Sequence, residues 1–230
     1  MTQSLRAPEG PVRSTNPARS ARRTLLAGGT VAGPLFLGAG VVQGITRQGF
    51  DFTRNAISQL ALGDAGWIQT VNFLLAGALL MGGAAGLRRA VRGERGGGRA
   101  AALVAVFGAS FWAAALFPAD AGAGFPVGAP DVATMSTHGA VHMLGGMIGY
   151  LALCAAFLVL ARPLAVRGHR GWAVASRCVP VAVLAGFAGS AASVLAFTAG
   201  AGFGLCWLAA VTARLAADPA KPAAPRARAS

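Results

Sequence analysis

The chain has 230 residues, 55% of them hydrophobic and only 12% charged, with a formal net charge of +13. Soluble domains are about 25% charged, so this composition lacks the polar surface of a soluble basic domain that binds nucleic acid, and its apolar excess excludes an intrinsically disordered chain. The remaining class is an all-α polytopic membrane protein with basic loops and no nucleic-acid partner.

Taken in order, residues 1–23 hold prolines, serines and five arginines with no hydrophobic period, and read as a disordered basic tail. Arg22-Arg23 before Leu25-Leu26 has some likeness to a twin-arginine export signal. The apolar run that follows is long for a signal core, and Gly38-Ala39-Gly40 is a poor cleavage site, so the pair is read as the end of the tail. Six apolar stretches follow, each near the ~20 residues that cross a bilayer as helix. They cover about 24–45, 67–87, 100–117, 138–161, 178–197 and 200–216, which makes 24–217 a six-span membrane domain. The last two spans meet at Thr198-Ala199 and predict an antiparallel hairpin. Residues 218–230 form a second loose basic tail.

Charge gives the orientation. With the amino terminus in the cytoplasm and the spans alternating, eighteen of the 20 basic residues fall on the cytoplasmic side, and only Arg47 and Arg54 fall outside. Both termini are then cytoplasmic. The net charge becomes a topology signal, with attraction to the bilayer's anionic inner-leaflet lipids as a second effect.

Within the spans, glycines recur four apart, as in Gly29/Gly33, Gly82/Gly86, Gly145/Gly149 and Gly200/Gly204. Such spacing lets backbones approach closely in lipid. It is read here as packing inside one bundle, while a homo-oligomer stays open. Pro34 falls inside the first span. Polar groups inside spans are Gln69, Asn72, Ser110, Ser190 and Ser193, and no acidic residue lies mid-membrane. Cys154, Cys178 and Cys206 lie in or beside apolar runs, which argues against a disulfide framework.

The chemistry-bearing residues gather on the outer side. The first outer loop, 46–66, interleaves Phe50, Phe52, Ile57, Leu60 and Leu62 with Asp51, Arg54, Asn55, Ser58 and Gln59. Two readings are open: an amphipathic segment on the membrane surface, or a lid that packs its apolar side chains on the bundle. Asp51 and Arg54, three apart, suit a helical ion pair.

The run Gly49-Phe50-Asp51-Phe52-Thr53-Arg54-Asn55-Ala56-Ile57-Ser58-Gln59-Leu60-Ala61-Leu62-Gly63 resembles the signature region of the domain-of-unknown-function 998 family. Trp67 to Phe73, Phe117-Pro118 and Thr137-His138-Gly139-Ala140-Val141-His142 continue the likeness, which covers about residues 25–215. The resemblance implies a bacterial integral membrane protein of about six spans. It implies no activity and no catalytic residue.

His138 and His142, one turn apart at the outer start of the fourth span, are the candidate metal pair. Neutral imidazole is favoured at a helix amino terminus, and Asp51, Asp120 or Asp131 offers a third ligand. The competing reading is ordinary hydrogen bonding near the water boundary. No cofactor is expected, with a divalent metal such as zinc as the alternative. No P-loop, nucleotide fingerprint, serine elbow or HExxH motif is present. The sequence therefore points first to a non-catalytic structural or accessory bundle. A small-molecule carrier and an outer-face metal-dependent hydrolase of lipid-like substrates are the alternatives.

Overall fold

The computed structural model describes residues 17–218. Among these, six α-helices account for nearly all regular structure: α1 (Pro17–Thr46), α2 (Gly66–Ala90), α3 (Gly97–Leu116), α4 (Thr137–Val166), α5 (Arg170–Gly189) and α6 (Val194–Ala217). Each is long and apolar enough to cross a membrane, because 20 residues of helix already reach about 30 Å. The protein is a multi-pass membrane protein. Its outer surface bears exposed Val31, Leu35, Val42, Leu75, Leu144 and Leu158, the kind of surface that lipid covers.

Successive helices pack on one another, and α6 returns to α1, so the six form a closed ring with sparse contacts across it. Arginines of the chain entries and exits collect at one end. The loops 47–65 and 117–136 cap the other. Trp67 and Trp112 lie towards the cap end, while Trp172 and Trp207 stack 5.1 Å apart in the half nearer the arginine-rich end. Tryptophan is favoured at both borders of a bilayer.

Contact in the ring is closest where side chains are missing. A Cβ placed on Gly83 would lie 2.6 Å from the Gly29 Cα, and one on Gly186 would lie 2.8 Å from the Gly200 Cα. Gly29, Gly33, Gly149, Gly200 and Gly204 all face neighbouring helices, as the spacing suggests. In the Gly82/Gly86 pair, Gly82 has only loose contacts. Its neighbour Gly83 takes the inward place with Gly86.

Polar groups join the same helices. Gln43 Nε2 donates to Gln69 Oε1 at 2.7 Å, and Asn72 Nδ2 donates to Gln69 Oε1 and to the Phe36 carbonyl, each at 3.1 Å. All three side chains are buried. They form an amide cross-link between α1 and α2 of the kind that spans use in place of hydrophobic contrast.

Several boundaries differ from the sequence reading. Helix α1 begins at Pro17, so the described part of the supposed 1–23 tail is helical, and Arg22 is buried and donates to the Asp218 carbonyl at 2.9 Å. Residues 1–16 and 219–230 of the two tails lie outside the described residues. Span five starts at Arg170 instead of Cys178, since Arg170 and Arg177 sit on exposed helical positions and need not stop the helix. The hairpin therefore turns at 190–193, not at Thr198-Ala199. Ser193 caps α6 by accepting from the Leu195 amide at 3.2 Å. Ser190 and Ser193 thus belong to the turn. Helix α1 continues through Pro34, which membrane helices tolerate when neighbours satisfy the freed carbonyl.

The arginine-rich end is also a network. Arg167 pairs with Glu94 at 2.8 Å and with Asp218 at 3.3 Å. His169 donates from Nε2 to Asp218 at 3.1 Å and faces Arg214 through Nδ1 at 3.2 Å. Arginine only donates, so Nδ1 accepts and the neutral Nε2–H imidazole satisfies both contacts.

Replacing Gly83 by leucine puts a side chain into the Gly29 backbone and should cost about 1–3 kcal/mol, the usual range for overpacking. Thermal unfolding in detergent should show the loss. Gly82→Leu, on the looser neighbouring position, should leave the midpoint nearly unchanged.

Candidate functional site

The cap is held by the residues that the sequence singled out. The Asp51 carbonyl accepts from the amides of Arg54 at 3.0 Å and Asn55 at 2.7 Å, closing a tight turn. The Asp51 carboxylate accepts from the Thr53 hydroxyl at 2.7 Å and amide at 2.8 Å. These bonds hold its pKa below the usual carboxylate value. Asn55 is fully buried. Its Oδ1 accepts from the Asp51 amide at 2.9 Å, and its Nδ2 reaches the Gly122 carbonyl at 3.4 Å. Gln59 donates to the Asp120 carbonyl at 3.2 Å and accepts from the Ala56 amide at 3.1 Å. The two cap loops are thereby locked together through side-chain amides.

Apolar groups complete the lock. Only Ile57–Ala61 is helical in the first loop, a single 3-10 turn whose Ile57 and Leu60 are buried. The loop is the lid of the two readings, packed on α1 and α2. Phe50 meets Phe52 and Phe125 edge-on at 5.0 and 5.2 Å. The Arg47 guanidinium lies 5.3 Å from the centre of the Phe125 ring and donates to the carbonyls of Leu62 at 2.7 Å and Leu60 at 3.3 Å. The expected Asp51–Arg54 pair does not form, because the Asp51 oxygens serve the turn. Arg54 pairs with Asp131 at 3.0 Å, and both side chains are largely exposed.

The histidines both meet Phe117. His142 Nδ1 lies 2.9 Å from the Phe117 carbonyl, and the His138 ring stands edge-on to the Phe117 ring at 5.5 Å. A carbonyl only accepts, so Nδ1 of His142 carries a proton, and in the neutral ring Nε2 keeps its lone pair. Asp120 lies within electrostatic reach of both imidazoles, and hydrogen bonds from the Ser136 hydroxyl and amide, the latter at 3.0 Å, hold its pKa below the usual value. Asp51 and Asp131 are committed to Thr53 and Arg54. Among the described residues, no three histidine, cysteine or carboxylate side chains converge as a metal set. The three cysteines are free, with Cys154 buried.

Below the cap, all six helices line a cavity of about 340 Å³. Ser58 and His142 lie on its wall, with Ser190 and Thr198 from the α5–α6 turn region. Tyr150, Phe187 and Phe197 form an aromatic group, with Tyr150 and Phe187 at 5.3 Å and Phe187 and Phe197 at 4.8 Å. Tyr150 is eight residues beyond His142 on α4, roughly 12 Å along the axis. It stands near the middle of that helix, so the cavity reaches about half the depth of the bundle. On one side it is walled by Met143 and Met147, whose outer parts are exposed where lipid would lie.

Residues 30–217 match the family model described as "Protein of unknown function (DUF998)". The chain belongs to the DUF998 family. The signature runs 49–63, 67–73, 117–118 and 137–142 all fall inside the matched range. No curated protein and no solved structure matches significantly. In this DUF998 protein the signature region builds the cap and the upper wall of the cavity. Ser58 touches the cavity directly, whereas Asp51, Asn55 and Gln59 act by holding the lid. Tyr150, Phe187 and Phe197 were missed, since aromatics inside apolar spans carry no sequence mark of facing inward.

Asn55→Ala removes the buried bridge between the two loops and should cost about 1–3 kcal/mol. Trypsin should then cleave at exposed Arg54 faster than in wild type, read by gel and mass spectrometry.

The carboxylates add a pH dependence with a definite sign. Their folded pKa values are depressed, so the stability they contribute is present above the ordinary carboxylate pKa, about 4, and is lost as pH falls below it through the folded values. Melting temperature should drop as the medium is acidified through that range. An Asp51→Asn/Asp120→Asn variant should melt lower at neutral pH and show a flatter acid profile.

Proposed function

We propose that this protein is a non-catalytic accessory protein of the bacterial inner membrane that holds an apolar, lipid-derived molecule in the cavity beneath its cap. The cavity carries the reading: a space within the 300–1,000 Å³ range of small-molecule sites, built by every helix and bordered by Met143 and Met147 on the lipid side. Its lining is largely aliphatic and aromatic. His142 Nε2 supplies one hydrogen-bond acceptor near the cap. The Thr198 hydroxyl is a buried group with no partner among the described residues. An amphiphile with a small polar end towards the cap and its chain on the aromatic group fits that distribution.

The orientation rests on charge. The arginine-rich end is placed in the cytoplasm by the positive-inside rule, which puts both termini there and the cap on the far face. A carrier is the second reading, favoured by a cavity that extends to mid-helix. Transport would require the Tyr150, Phe187 and Phe197 group to part. A metal-dependent hydrolase has less support, because Asp51 and Asp131 are engaged by Thr53 and Arg54.

The full-length protein in mild detergent, examined by native mass spectrometry and lipid extraction, should retain about one apolar molecule. Ala201→Phe places a ring in the cavity and should lower occupancy about tenfold or more, equivalent to about 1.4 kcal/mol, with little change in melting temperature. An empty wild type, or full occupancy in a stably folded Ala201→Phe protein, overturns the reading.

A further inference from the structure

At the opposite end of the bundle a second cavity, of about 580 Å³, lies between the start of α3 and the last part of α4. It is lined by Arg95, Arg99 and Arg162 together with Gly96, Gly98, Leu158 and Val159. We propose that it binds the phosphodiester headgroup of an anionic phospholipid.

Three observations carry the assignment. First, the three arginines face one space without an acidic partner among the described residues. The two carboxylates described at this end are already used: Glu94 is bound by Arg167, and Asp218 by Arg167, His169 and Arg214. Guanidinium groups match phosphate oxygens in charge and geometry. What sets these three apart from the other arginines of this end is that they gather around one cavity, which suits an anion from outside the chain.

Second, the backbone beside the arginines is bare. Gly96 has φ +86°, in the left-handed region, and no Cβ at Gly98 would meet anything within 4 Å. The Gly97 amide is taken by the Glu94 carbonyl at 3.0 Å, so the open approach is at Gly98, in the first turn of α3, where no side chain caps the helix. That open backbone adds to the arginine site, as helix starts do for anions.

Third, the same cavity has an apolar side. Leu158 is 54% exposed and lies one turn from Arg162 on α4, so guanidinium and alkyl surface are stacked in the order that a lipid presents phosphate and chain. A soluble phosphate has no use for that face.

The test uses the full-length protein in detergent and native mass spectrometry, titrated with phosphatidylglycerol, with phosphatidylcholine and, separately, with inorganic phosphate. Phosphatidylglycerol should bind in preference to phosphatidylcholine. An Arg95→Gln/Arg99→Gln/Arg162→Gln variant should bind it about tenfold or more weakly, because the charge-assisted contacts to the phosphodiester are lost. Arg88→Gln/Arg89→Gln/Arg92→Gln makes the same charge change at the same end and should stay within about twofold of wild type if the site is local. The proposal fails if both triple variants lose affinity alike, if neither does, or if inorganic phosphate displaces the lipid at comparable concentration. The last result would assign the arginines to a soluble anion.

Discussion

Helices α1 and α2 meet where neither has a side chain, at Gly29 and Gly83, and the rest of the bundle depends on that contact. In lipid, a leucine gains nothing from facing a neighbour instead of a bilayer, so burial cannot choose which helix faces touch. The choice falls to shape and to polar groups. Glycine lets the two backbones close, and closure brings Gln43, Gln69 and Asn72 within bonding distance. The same device recurs at Gly186 and Gly200, which seat the last helical hairpin. With these contacts fixed, the ring has one remaining freedom, the space at its centre.

That space differs in character from the membrane around it. It is bordered by aromatic edges and a few hydrogen-bonding groups, and it is covered by a loop whose own polar atoms are occupied internally. The lid is consequently a preformed part of the structure. Asn55 and Gln59 spend their amides on neighbouring carbonyls, as a buried loop backbone requires. Most residues that looked like a reactive cluster are therefore occupied with architecture, while Ser58 and His142 of that group face the cavity.

How much of this was legible follows from the physics of each signal. The number of spans and the gathering of Arg88, Arg95, Arg167 and their fellows at one end of the bundle could be read directly, because length, hydropathy and charge bias are one-dimensional properties. Span ends were harder. Arg170 and Arg177 hid the true start of α5, since an arginine on an exposed helical position looks in sequence like a loop residue. The Gln43–Gln69 bond was open to inference, because each glutamine lies three residues from the helix end bordering the first loop. The cavity was not. Whether Tyr150 or Phe187 points inward depends on helix rotation, and helices that are apolar all round carry little information about rotation. The Asp51–Arg54 expectation failed for a local reason: the pairing rule assumes a helix, and the chain there makes a turn.

Thr53 gives the cap a mechanical role. Its carbonyl accepts from the Val194 amide at 3.2 Å and from the Ser193 hydroxyl at 3.4 Å, tying the first loop to the turn between α5 and α6. The lid is thus fastened at one end to α1 and α2 and at another to the hairpin that forms the opposite wall. Roof and wall are therefore joined at the cap, and parting them breaks both bonds.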